Sequence, residues 1–266
     1  MQNSRKPLLA PKQERATPRI IPCLLIENQR LVKTIKFRDS KYVGDPLNAV
    51  RIFNEKQADE LVFLDIGARR TGCEPDFGLI EKIAQQCFMP FAYGGGVRTL
   101  DNIRCILSSG VEKVVINSAA LKHPELIREA AEEFGSQSIV LSIDVKRNLL
   151  GSWRVFDGSQ NKNTSLDPLS YVKSMVALGA GEILLNDIDR DGTRMWYDVI
   201  LISTLSSAID IPLVACGGAG SLADIKAVID AGASAAAAGS LFVLYGKHRA
   251  VLITYPQGEE LRRIFF

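Results

Sequence analysis

At 266 residues, with 47% hydrophobic and 23% charged side chains, the chain has the composition of a globular protein and is neither low-complexity nor fibrous. A formal net charge of +2 argues against a dedicated nucleic-acid binder, and no stretch approaches the ~20 apolar residues of a membrane-crossing helix. The five cysteines (Cys23, Cys73, Cys87, Cys105 and Cys216) include no CxxC pair, which argues against a disulfide framework or a zinc site and predicts a reducing, cytoplasmic setting.

Residues 1–18 carry Arg5, Lys6, Lys12 and Arg15 among three prolines and lack the apolar run of a signal peptide, so they are expected to form a flexible N-terminal extension. A first apolar run, Arg19 to Leu25, predicts a strand, and an irregular stretch is expected after Arg30. Asp45-Pro46 then opens a helix, because proline is tolerated at the first helical position. Strands follow at Glu60 to Asp65, Pro90 to Tyr93 and Lys113 to Ile116, with a second proline-led helix at His123-Pro124. The fifth strand is read at Ile139 to Asp144, followed by a long irregular segment from Lys146 to Ser165 and a helix from Asp167-Pro168. Strands at Glu182 to Asp187, Pro212 to Cys216 and Ala235 to Ala238 complete the series. Several of these runs are apolar at consecutive positions, as in LVFLD and SIVLSID, which marks strands buried on both faces. Eight strands alternating with helices over roughly 250 residues predict one α/β domain, a (βα)8 TIM barrel spanning 19–266.

An internal repeat refines that architecture. The segment from Pro90, PFAYGGGVRTLDNIRCILSSGVEKVVINSA, aligns without gaps on PLVACGGAGSLADIKAVIDAGASAAAAGSL from Pro212, an offset of 122 residues. The same offset pairs Asp65 with Asp187, and an offset of 119 pairs RIIPCLL with SIVLSID. A period this long exceeds that of a solenoid, about 20 to 50 residues, and is read as two (βα)4 half-barrels.

Chemistry-bearing positions cluster at strand ends, where barrels place their sites. Gly94-Gly95-Gly96 and Gly217-Gly218-Ala219-Gly220 each follow a strand, so their backbone N–H groups can approach an anion, or they simply permit tight turns. Asn117-Ser118 and Gly239-Ser240 supply donors at equivalent places in the two halves, which favours two phosphate sites. Asp144, ending the fifth strand, is the candidate acid or base, against the plainer alternative of a helix cap. Asp65, Asp187, Asp189 and Asp191 are weaker candidates. The IDRDGT run holds substrate hydroxyls and phosphate or is a salt-bridged loop, and Lys33 pairs with a substrate anion or is solvated. At the opposite strand ends, Arg19, Glu60, Lys113 and Glu182 form two cations and two anions that would converge as a ring, structural or closing the barrel axis. No metal site or bound cofactor is indicated.

From Arg19 to about Phe242 the chain resembles the cyclase subunit of imidazole glycerol phosphate synthase. RIIPCL, DELVFLDI, GGG, INSA, SIDVKR, GEILLNDIDRDGT, GGAG and GSLF occur in that family's order and spacing. The resemblance implies a cytoplasmic lyase subunit of histidine biosynthesis that takes ammonia from a glutaminase partner docked on the N-terminal face of the barrel and uses it at the other face. It implies that Arg19, Glu60, Lys113 and Glu182 are the ammonia gate. It further implies that phosphate is held by Gly96, Asn117 and Ser118 at one end and by Asp191, Gly192, Gly218, Gly239 and Ser240 at the other. The family's catalytic pair falls on position 25 and Asp144, but position 25 is Leu25. Leucine cannot exchange a proton, and loss of one general acid or base costs about 10²- to 10⁴-fold in rate. Position 186 is asparagine and 187 aspartate, where the family usually has small hydroxyl residues.

The strand-one region, RIIPCLLIENQRLVKTIKFRDSKYVGDPLNAVRIFNEKQADEL, is similar to a branch of the family tied to surface-polysaccharide (lipopolysaccharide, O-antigen) biosynthesis. There the barrel and its glutaminase serve a separate ATP-dependent amidotransferase that places an acetamidino group on a nucleotide-linked sugar, and leucine at position 25 is normal. Three readings stand: an ammonia-delivering barrel in acetamidino-sugar formation on a phosphorylated or nucleotide-sugar substrate, a cyclase of histidine biosynthesis, and a non-catalytic barrel that activates the glutaminase. None involves nucleic acid or a membrane.

Overall fold

The structure, a computed structural model, describes residues 17–266; residues 1–16 of the expected extension lie outside the described residues. Eight parallel strands close on themselves: β1 (Arg19–Glu27), β2 (Leu61–Asp65), β3 (Phe91–Gly94), β4 (Lys113–Ile116), β5 (Ile139–Arg147), β6 (Glu182–Asp187), β7 (Leu213–Cys216) and β8 (Ala235–Ala238). Each pairs with the next, and β8 returns to β1 through Arg19–Ala235, Ile20–Ala236, Ile21–Ala237 and Pro22–Ala238. Eight outer helices follow the strands in turn: α1 (Pro46–Glu55), α2 (Phe77–Ala84), α3 (Leu100–Ser108), α4 (Glu125–Phe134), α5 (Pro168–Ala177), α6 (Val199–Ser206), α7 (Leu222–Asp230) and α8 (Gly258–Phe265). The protein is a (βα)8 TIM barrel, and among the described residues no helix is long and apolar enough to cross a membrane.

The helix starts follow from their side chains. Asp45 and Asp167 each accept the backbone N–H three residues on, with proline next, and Ser221 and Asp224 form a reciprocal capping box on α7. Pro124 departs from expectation: it occupies the N-cap of α4, and the helix begins at Glu125.

Side chains alternate across each strand, so the apolar groups form two shells. Ile20, Leu24, Phe63, Tyr93, Ile116 and Leu141 point outward and pack under the helices. Ile21, Cys23, Val62, Ala92, Val115, Val140, Leu184, Val214, Cys216, Ala235 and Ala237 fill the inside. Registers between neighbours set inner positions side by side, as Cys23 with Val62 and Val214 with Ala235, so the interior is filled rather than open. Small members such as Ala92, Ala235 and Ala237 keep the centre narrow-walled.

The two segments expected to be irregular are β-hairpins. β1 continues antiparallel into Arg30–Ile35 and then Arg38–Gly44, and β5 continues into Trp153–Asp157 and Lys162–Asn163. These hairpins rise from corresponding strands of the two half-barrels and stand over the C-terminal mouth. Three short helices, Ile66–Thr71, Ser118–Lys122 and Ser240–Val243, sit directly after β2, β4 and β8.

Candidate functional site

The mouth encloses a cavity of about 570 Å³. Its upper wall comes from the last inner position of each strand and the loops beyond, which is why glycines and short polar residues there convert a packed core into open space.

Asp144 projects into the cavity from β5 and is buried. Asn117 Nδ2, from the end of β4, donates to Asp144 Oδ2 at 3.0 Å, and Asn186 Nδ2, from β6, donates to Oδ1 at 3.3 Å. Two side-chain amides thus orient one carboxylate from both sides. Leu25 lines the same cavity at the position the 119-residue offset equates with Asp144, and it registers with Leu64 of β2. One half-barrel therefore presents a carboxylate and the other an isobutyl group at matching points.

The second half supplies one end of the cavity. Lys33, reaching across from the first hairpin, places Nζ 3.0 Å from Asp191 Oδ1, and both side chains are buried. Lys36 N–H donates to the Asp191 carbonyl at 2.9 Å, tying the hairpin to the loop after β6. Gly192 (φ +72°) lies so close to that hairpin that a Cβ would stand 2.3 Å from the Thr34 carbonyl oxygen. Gly218 (φ +123°) is pressed similarly on the Trp196 carbonyl, at 2.2 Å. Asp191 Oδ2, Ser240 Oγ and Thr34 Oγ1 are buried without a hydrogen-bond partner, although all three residues line the cavity. Buried polar atoms are normally paired, so this cluster has the chemistry of a site completed by a ligand. Gly239 lines the same end. The opposite end is formed by Gly96, Asn117 and Ser118, with Arg98, Lys122 and His123 at its rim.

Asp65 lines the cavity, but its Oδ1 accepts the Gly67 and Ala68 N–H groups at 2.9 and 3.0 Å and so caps the short helix after β2. Burial raises its pKa against those hydrogen bonds. Asp187 and Asp189 lie off the site. Asp187 follows the inward Asn186 and faces the outer layer, where it accepts the Asp189 N–H at 2.9 Å and lies 3.4 Å from Arg190 Nε. Burial first, then the charges of Asp198 and Asp189, push the Asp187 carboxyl up to about 6, with the Asp189 N–H and Arg190 opposing. Asp189 accepts the Arg147 N–H at 3.0 Å and fastens the second hairpin. The strand alternation excludes Asp187 as a replacement for the carboxylate absent at position 25.

At the other end of the barrel axis the four expected charges do converge. Arg19 Nη1 is 2.5 Å from Glu60 Oε2 and Arg19 Nη2 also pairs with Glu182, while Lys113 Nζ lies 3.0 Å from Glu60 Oε1 and 2.8 Å from Glu182 Oε2. Each cation bridges both anions, closing a ring. Between ring and cavity lie the apolar inner residues and then a thinner set, Cys23, Gly94, Ser142 and Cys216. Neither thiol was singled out as part of the site from sequence. Nor were Ser142, Arg98, Lys122 and His123, and Asn186 stood out only as a departure from the family's small hydroxyl residue. The repeat offered a signal for Ser142, which the 119-residue offset places opposite Cys23.

Residues 19–249 match the family described as histidine biosynthesis protein. The chain is 50% identical over 244 residues to a Pseudomonas aeruginosa protein provisionally named imidazole glycerol phosphate synthase subunit hisF2, covering 91% of this chain and 97% of that one. It is 49% identical over 251 residues to a Leptospira interrogans protein provisionally named subunit HisF, covering 94% and 99%. Identity to the imidazole glycerol phosphate synthase subunit HisF of a Hydrogenobaculum species is 48% over 202 residues, or 76% and 80% of the two chains. With a closed eight-stranded barrel, a cavity holding Asp144 at one mouth and a charged ring at the other, the chain belongs to the histidine biosynthesis protein family and, within it, to the HisF-like cyclase subunits of imidazole glycerol phosphate synthase.

Proposed function

We propose that this chain is the barrel subunit of a glutamine-dependent synthase. Ammonia released by a glutaminase docked on the N-terminal face passes the ring of Arg19, Glu60, Lys113 and Glu182, travels the apolar axis, and meets a phosphorylated substrate held in the C-terminal cavity. The observation that carries this reading is the alignment of a closed charge ring, an axis lined by apolar side chains, and a cavity holding Asp144. Ammonia is small and uncharged in its nucleophilic form, so such an axis can pass it while excluding hydrated ions. Asp144, oriented by Asn117 and Asn186, is the group placed to accept or return a proton at the mouth.

Leu25 supports a finer assignment. With one carboxylate, the cavity retains a single proton-exchanging group in the paired positions, which fits a subunit that delivers ammonia and holds substrate while a separate ATP-dependent amidotransferase activates the amide, as in acetamidino-sugar formation for surface polysaccharide. The test is ring closure by the purified chain with the histidine-pathway ribulosyl substrate and excess ammonium, beside Leu25→Asp. Weak activity that rises in the variant is expected. Robust turnover by the native chain would overturn the specialisation and establish the histidine-pathway cyclase, the reading favoured by the retained Asp144 and the two polar cavity ends.

A further inference from the structure

The two ends of the cavity are related by the half-barrel repeat, yet they differ in charge. Arg98, Lys122 and His123 line the rim just outside Gly96 and Ser118. The 122-residue offset equates them with Gly220, Leu244 and Tyr245, which are uncharged and do not line the cavity. Among the described residues the second end has one lining cation, Lys33, and Asp191 already neutralises it at 3.0 Å.

Three neighbouring carboxylates bear on this end, and each is engaged elsewhere; Glu74, whose backbone lies against Gly96, accepts Asn102 Nδ2 at 3.5 Å. Asp65, between the ends, caps a helix. Asp157 sits beneath the turn of the second hairpin. Burial opposes its ionisation, but the Ser159 hydroxyl, the Ser159 and Gln160 N–H groups and the charge of Lys122 hold its pKa below the usual range. It therefore draws on part of the field of Lys122 and leaves Arg98 and His123 to the rim. Arg98 spends one Nη2 donor on the Cys73 carbonyl, at 2.8 Å, and a guanidinium has five.

We infer that the cavity takes its substrate in one orientation, with a diphosphate at the Gly96–Ser118 end and a less highly charged group at the Gly192–Ser240 end. The inner donors of Gly96, Asn117 and Ser118 span one phosphoryl group. Arg98, Lys122 and His123 line the same end and offer a guanidinium, an ammonium and an imidazole to a second phosphoryl. The inference rests on the proposal that this cavity is the substrate site, and it adds the class and direction of the substrate.

The test uses the full chain with inorganic pyrophosphate and orthophosphate, metal-free, by calorimetry and by amide shifts in NMR. Pyrophosphate is expected to bind at least about tenfold tighter than orthophosphate and to shift Gly96 and Ser118 far more than Gly239 and Ser240. Lys122→Leu with His123→Tyr installs the residues of the second half and is expected to abolish the preference while changing orthophosphate affinity less than about twofold. Arg98→Gln carries the same expectation independently. Equal affinities, equal shifts at both ends, or a preference that survives these substitutions would overturn the inference. Orthophosphate binding at both ends without any preference would end this inference alone, whereas binding of neither ion would end it together with the reading of the cavity as a phosphorylated-substrate site.

Discussion

Replacing Lys113 by methionine keeps the length and most of the volume of the side chain but removes the ammonium that holds both carboxylates of the ring. Lys113 lies 3.0 Å from Glu60 and 2.8 Å from Glu182, and the side chains of those glutamates are only 5% and 7% exposed. Removing one partner of a buried pair costs about 3–5 kcal/mol because the other charge stays buried. Arg19 still reaches both glutamates and is itself one-third exposed, so the lower end, about 3 kcal/mol, applies here. At about 2–4 °C per kcal/mol, the unfolding midpoint should fall by about 6–12 °C. Combining Lys113→Met with Glu182→Gln leaves a neutral Arg19–Glu60 pair, and at least about 1 kcal/mol should be recovered relative to additivity. Denaturant unfolding of the four proteins of this cycle measures both quantities. A single-variant loss below about 1 kcal/mol, or strictly additive losses, would refute the view that the ring is electrostatically coupled. In the glutaminase complex, Lys113→Met should change glutamine-dependent turnover more than turnover with added ammonium. Equal effects would argue against a gate.

Asp187 gives a pH-dependent prediction. Its carboxyl is pushed up from 3.8 to about 6 in the folded protein, chiefly by burial, so between those values the folded state binds a proton that the unfolded chain has lost. Stability should therefore fall as pH rises from about 4 to 6, by up to about 3 kcal/mol, and Asp187→Asn should flatten that slope; parallel profiles for the two proteins would contradict it. Gly192→Ala puts a methyl group 2.3 Å from the Thr34 carbonyl oxygen at a φ of +72°, and it should lower stability by more than about 1 kcal/mol in denaturant titration while weakening phosphate binding. Asp144→Asn should reduce turnover of the complex by about 10²- to 10⁴-fold with little change in the unfolding midpoint. Unchanged turnover would favour a barrel that only activates its glutaminase.

The barrel strands were legible because each is a short apolar run buried on both faces and ended by a polar or glycine residue, and because the repeat fixed their equivalence. The hairpins were not. The turns of the first use Asn28-Gln29 (φ 52° and 58°) and Lys36-Phe37 (φ 49° and 63°), left-handed conformations adopted without the glycine that would announce them. Strand Arg38–Gly44 is largely exposed and polar, so it carries little periodic signal. The site divides along a similar line. Asp144, Asp191 and the glycines stood out by residue type at strand ends. The amide of Asn186 and the rim cations gain meaning only when the barrel closes, since Asn186 and Asp144 are 42 residues apart yet lie in register on β6 and β5. Asp65 and Asp187 looked alike in the repeat, and what separates their surroundings is packing that composition does not encode.

Strand β8 consists of four alanines, two facing the centre and two facing the helices. One staircase of methyl groups thus packs the barrel interior on one side and seats its outer layer on the other. A larger residue at Ala237 would overpack the barrel interior, whereas the same change at Ala236 would pry the wall from its buttress. Alternate letters of a single tetrapeptide thus serve two different cores, and enlarging either is expected to cost about 1–3 kcal/mol.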